Sequence, residues 1–101
     1  MQYNKLVRDK IVGIIETRGE TVRYHIANDA EYRVALREKL REETEEFVEA
    51  NNIEEMADVF EVIDVLIELN GWNPEEIRAY QKVKRQERGG FSERIILDET
   101  N

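Results

Sequence analysis

Apolar positions along this chain fall mostly three and four residues apart. Between Leu6 and Arg18, the residues Leu6, Val7, Ile11, Ile14 and Ile15 trace one helical face, and Gly19 follows as a stop. Val22, Tyr24 and Ile26 alternate with polar neighbours, a short strand signal near 21–26. Asn28 and Glu31 have capping-box spacing and open a long helix from about Ala30 to Ala50, with Val34, Leu36, Leu40, Phe47 and Val48 on its apolar line. Asn51-Asn52 breaks it. A third helix runs from Ile53 to Leu69 and ends near Asn70-Gly71. Asn73-Pro74-Glu75-Glu76 starts a fourth, with a cap, a proline and first-turn acids, and Gly89-Gly90 ends it. A second strand signal lies near 91–97. The pattern predicts a mainly α fold, a four-helix bundle with two short strand segments, in a single domain over 1–101.

The third helix is apolar on most sides. Met56, Val59, Phe60, Ile63 and Ile67 form one stripe, and Val62, Val65, Leu66 and Leu69 a second. Only Glu54, Glu61, Asp64 and Glu68 form a narrow polar strip. Such a helix is central in a bundle or lies at a subunit interface.

Nine carboxylates lie between Glu42 and Glu61, and the question is which of them point inward. At 100° per residue, Leu36, Leu40, Glu43 and Phe47 lie within about 60° of one another. Glu43 therefore sits inside an apolar stripe, with Glu46 toward its edge. Glu55 and Asp58 begin the line that continues through Val62, Val65 and Leu69. Glu45, Glu49, Glu54 and Glu61 are left to solvent. If the break at Asn51-Asn52 folds the two helices into an antiparallel hairpin, reflection about position 50.5, at the start of that break, pairs Glu46 with Glu55 and Glu43 with Asp58. Four carboxylates in a half-buried square require protonation or cations. An all-oxygen set suits Mg²⁺, Mn²⁺ or Ca²⁺. The residues also admit a plainer reading, in which these acids form a solvated face and Glu55 is a capping-box acid three residues after Asn52.

Charge and composition narrow the chemistry. The 101 residues carry a net charge of −8 and 38% charged side chains, which argues against a general binder of nucleic acid polymers. There is no cysteine, so disulfides, thiolate zinc sites and cysteine nucleophiles are excluded. No apolar run reaches a membrane span, and the amino terminus lacks a signal-peptide core, which points to the cytoplasm. No P-loop and no serine–histidine–acid signature is present.

"KLREETEEF" followed by "EEMADV" resembles the EExxE…ExxD pattern of the MazG-like all-α nucleoside triphosphate pyrophosphohydrolases. "YNKLVRDKI" near the start and "RGGFSERIIL" near the end are similar to a small branch described as phosphoribosyl-ATP pyrophosphohydrolase-like. The resemblance implies an α-helical, Mg²⁺-dependent homodimer or higher homo-oligomer, with Mn²⁺ as an alternative metal. It implies hydrolysis of a nucleotide between its α and β phosphates to a monophosphate and pyrophosphate. It assigns metal binding to Glu43, Glu46, Glu55 and Asp58, and a water-orienting role to Glu42. Eight residues separate Glu46 from Glu55, fewer than in many such proteins, and Val12 stands where close relatives often carry proline. The rival expectation is a catalytically silent acidic module for binding or oligomerisation.

A nucleotide's phosphates need cationic partners. Lys5, Arg8 and Lys10 supply them near the start, where the plainer alternative is a solvated basic patch that pairs with acids, and Lys84 and Arg88 near the end of the fourth helix, where the helix dipole accounts for part of their presence. Arg8 is the strongest candidate, because its planar fork can hold phosphate at two points.

Overall fold

The computed structural model describes residues 4–101, so Tyr3 of the N-terminal stretch lies outside them. Four helices form: α1 (Ile11–Thr17), α2 (Asp29–Ala50), α3 (Ile53–Leu69) and α4 (Pro74–Arg88). The protein is mainly α, 62% helical, with no strand among the described residues.

The two strand signals therefore do not become strands. Within 91–97, Arg94 takes a left-handed φ of 60° and its N–H bonds to the Phe91 carbonyl at 3.2 Å. That is a turn where a strand would run straight. At 21–26 the alternation has no strand to pair with among the described residues, and its apolar side is covered only in part, with Val22 half-buried and Tyr24 and Ile26 exposed. Alternation supports a strand only where an edge pairs and a face is buried.

The first helix is also shorter than its apolar spacing suggests. It starts at Ile11, behind Lys10, which supplies no side-chain cap, and its first turn holds no acid. The Ile11 N–H instead closes a turn on the Arg8 carbonyl at 3.0 Å. Residues 5–10 thus precede the helix as a separate arm, which matters for the site.

The other boundaries follow their caps. Asn28 Oδ1 accepts the Glu31 N–H at 2.9 Å, while the Glu31 carboxylate turns to His25 Nε2 at 2.8 Å, so one half of the capping box forms. Asn51 ends α2 in the left-handed region at φ 49°, ψ 51°, with its N–H on the Phe47 carbonyl at 2.7 Å. Asparagine tolerates that conformation better than most residues. Asn52 Oδ1 then accepts the Glu55 N–H at 2.9 Å and starts α3. Asn73 Oδ1 does the same for Glu75 at 2.9 Å, with Pro74 in the first turn of α4. Replacing Asn52 by alanine should lower stability by about 1 kcal/mol, read as a fall in melting temperature. An unchanged midpoint would show that packing alone starts α3.

The chain divides into two units, 1–66 and 67–101. In the first, α2 and α3 form the hairpin, and its centre is Leu36 at 2% exposure and Val62 at 7%. These are the only buried apolar residues among the described residues. Leu40, Phe47, Val59, Val65 and Leu66 are half-buried around them. Phe60 and Ile63, from the other stripe of α3, are exposed. In the second unit, residues 70–101 are exposed throughout. Along α4, Ile77, Tyr80 and Val83 stand three apart with no buried residue among them.

Candidate functional site

The turn at Asn51-Asn52 brings the acid of one helix against those of the other. Glu43 on α2 and Glu55 and Asp58 on α3 each present a carboxylate oxygen, all within 4.8 Å of one another. Glu43 follows Leu36 and Leu40 along the apolar stripe, which explains its burial to 7% exposure. Glu55 and Asp58 are one turn apart and half-buried. Glu46 is exposed and lies outside this three-residue group, although its charge reaches Glu43. Glu45, Glu49, Glu54 and Glu61 are exposed.

Two oxygens stand out. Glu43 Oε2 and Glu55 Oε2 are buried and have no hydrogen-bond partner. Buried carboxylate oxygens ordinarily find donors, because leaving one bare costs the full desolvation of the atom. Glu55 is thus more than a capping acid: its N–H is capped by Asn52, while its carboxylate is directed at the cluster. An all-oxygen donor set with bare acceptors fits a hard divalent cation.

Three cations pair with acids of this region. Arg8 Nη2 donates to Asp58 Oδ1 at 2.7 Å. Lys5 Nζ donates to Glu42 Oε1 at 2.9 Å. Lys39 Nζ lies 3.4 Å from Glu42 Oε2 and 3.2 Å from Glu43 Oε1. The arm before α1 therefore carries Lys5 and Arg8 across to α2 and α3. Lys10 makes no ion pair among the described residues. Lys84 and Arg88 are exposed on α4, where a positive charge near the C-terminus favours the helix dipole.

These contacts set the acids apart electrostatically. The Lys5 hydrogen bond, helped by Lys39, holds the Glu42 carboxyl below its usual range against a smaller effect of burial. The same bond raises the Lys5 ammonium. Glu43 moves the other way: burial pushes it up, with the charges of Glu46 and Asp58 adding to the push and Lys39 opposing it. Adjacent residues thus hold opposite tendencies, one committed to charge and one resisting it.

Lys39 is the residue that sequence reasoning left without a role. Its spacing of three and four from Glu42 and Glu43 was the available signal. Beside it, an open groove of about 470 Å³ is lined by Asn4, Leu6, Val34, Ala35, Glu38 and Glu42. The groove adjoins the acids through Lys39 and Glu42 and is not centred on Glu43, Glu55 and Asp58.

Among the described residues, no helix is long and apolar enough to cross a membrane. No family model, curated protein or solved structure matches this chain.

Proposed function

We propose that the chain is a small MazG-like nucleotide pyrophosphohydrolase that uses Mg²⁺, or Mn²⁺ in its place, to cleave the α–β phosphoanhydride of a nucleoside triphosphate or related nucleotide. The observation that carries this reading is the pair of buried, unpartnered oxygens on Glu43 and Glu55, grouped with Asp58, with Arg8 and Lys39 paired to that group and Lys5 to the neighbouring Glu42. Acids without cations would suit a bare metal buffer, and cations alone would suit a simple anion site. Their combination suits a phosphate ester that arrives with a metal.

Glu43, Glu55 and Asp58 would hold the metal, with Glu46 at the exposed rim. When bound, a divalent cation neutralises phosphate charge and acidifies a coordinated water. The chain's own residues account for the rest. Glu42 stays ionised through its bond to Lys5, so it suits orienting a water by accepting a hydrogen bond better than storing a proton. Arg8 and Lys5 suit the phosphates, and Lys10 stands on the same arm. The groove beside Lys39 has the volume of a small-molecule site and suits the nucleoside part. The products are a nucleoside monophosphate and pyrophosphate. The enzyme would work in the cytoplasm, on free nucleotides rather than nucleic acid polymers.

The working form is a homo-oligomer. Two buried apolar residues among the described residues make a thin core, while Phe60, Ile63, Ile77, Tyr80 and Val83 are exposed. Helices with uncovered apolar stripes are completed by another surface, and a second copy supplies one of the same character.

The test is a panel of nucleoside triphosphates with Mg²⁺ or Mn²⁺ and pyrophosphate detection. The expected result is metal-dependent release that EDTA abolishes and that Asp58→Asn removes with helicity retained. Metal binding without turnover of any nucleotide would instead support an acidic binding module. Sedimentation of the purified chain should give at least twice the 12.0 kDa monomer mass.

A further inference from the structure

We infer that Arg8 is the built-in counter-ion of the metal site: it pairs with Asp58 and is displaced when a divalent cation binds, which frees its guanidinium for the substrate's phosphates. This rests on the metal-binding reading of Glu43, Glu55 and Asp58.

Three observations carry it. First, Arg8 Nη2 lies 2.7 Å from Asp58 Oδ1, and Asp58 is one of the three grouped acids. A guanidinium and a divalent cation at the same carboxylate compete, because their positive charges repel at that short range. Second, Arg8 reaches Asp58 from 50 residues away in sequence, on an arm that is not part of α1. Moving that side chain breaks no helix. Third, the pair is solvent-accessible, with side-chain exposures of 57% and 38%. Exposed pairs contribute little to stability, so releasing Arg8 is a small perturbation. Lys39, by contrast, is a poor candidate for displacement: it rises from α2 itself, is mostly covered, and is shared between Glu42 and Glu43.

The arrangement orders events. Without metal, Arg8 limits the repulsion among Glu43, Glu55 and Asp58. With metal, the same charge is set free at the edge of the site, where phosphate oxygens accompany the cation. A substrate that brings its own metal therefore supplies both halves of the exchange.

The experiment measures Mn²⁺ affinity by isothermal titration calorimetry for the wild type, Arg8→Gln and Arg23→Gln. Arg23→Gln removes the same charge from the same unit at a residue with no ion pair among the described residues. Arg8→Gln should tighten Mn²⁺ binding by about 3- to 10-fold, while Arg23→Gln changes it by less than about twofold. A second readout needs no loss of the side chain. In the wild type, the Arg8 Nε–H resonance, assigned by its absence from Arg8→Lys, should shift on titration with Mg²⁺. If wild type binds Mn²⁺ but Arg8→Gln binds it equally or more weakly, and the Arg8 resonance does not move, the exchange is wrong while the metal site stands. If wild type binds no Mn²⁺ at millimolar concentration, the metal site fails and the exchange with it.

Discussion

Glu43→Gln is expected to raise the metal-free melting temperature and, in the same protein, to remove metal-dependent pyrophosphate release. The two effects have one cause. Glu43 is buried, and burial pushes its carboxyl above the ordinary value, with Glu46 and Asp58 adding to the push. An acid whose folded pKa is raised contributes stability that is complete below its unfolded pKa and is lost as pH rises through the folded one. At neutral pH in EDTA, the cost of holding this carboxyl in a buried place therefore weighs against folding, and a neutral amide of the same size relieves that. The gap between variant and wild type should close as pH falls toward the ordinary carboxylate value of 4.5. On the proposed metal-binding reading the order should reverse with metal: wild type would gain stability from the cation, and the variant would lack a ligand. Turnover should fall by roughly 100-fold or more. Thermal melts with EDTA and with Mn²⁺, across pH, check the prediction. A variant less stable than wild type in EDTA would make Glu43 an ordinary structural acid held by Lys39.

Leu36→Ala should destabilise the protein more than any other single truncation of an apolar side chain. Leu36 is 2% exposed, the most enclosed apolar residue described, and only Val62 is comparably covered. Removing its branched end costs transfer energy plus the unfilled space, about 2–5 kcal/mol. For a domain of this length that corresponds to a fall of roughly 10 °C or more in melting temperature. Leu36 lies two turns before Glu43 on the same face of α2, so loosening it should also weaken Mn²⁺ binding without touching a ligand. Denaturant melts followed by circular dichroism measure the first effect and calorimetry the second. A loss below about 1 kcal/mol would mean that Leu36 is not the centre of the first unit.

Helix positions were legible because their signals are local. Asn28, Asn52 and Asn73 cap helices where their spacing predicts, and Asn51 ends α2. Glu43, Glu55 and Asp58 were legible because one turn at a known place converts two helical registers into one layer. Glu46 satisfied the same reflection and stays outside the group. Reflection gives height along the hairpin, and Glu46 sits at the edge of the stripe, where a small rotation carries it to solvent. Two kinds of feature were not legible. Strand formation at 21–26 and 91–97 depends on a pairing edge, which no local pattern contains. The placement of Lys5 and Arg8 depends on where the arm before α1 lies, and that is set by contacts 37 and 50 residues away.

The two-residue turn at Asn51-Asn52 makes the site vulnerable to changes of length more than of identity. Other residues could adopt the cap at Asn52 at modest cost, and glycine would suit the left-handed Asn51. One residue added there would turn α3 by about 100° and slide it about 1.5 Å relative to α2. Glu55 and Asp58 would then leave Glu43 while every helix stayed intact. The turn works as a ruler, and the chain can change the material of that ruler more freely than its length.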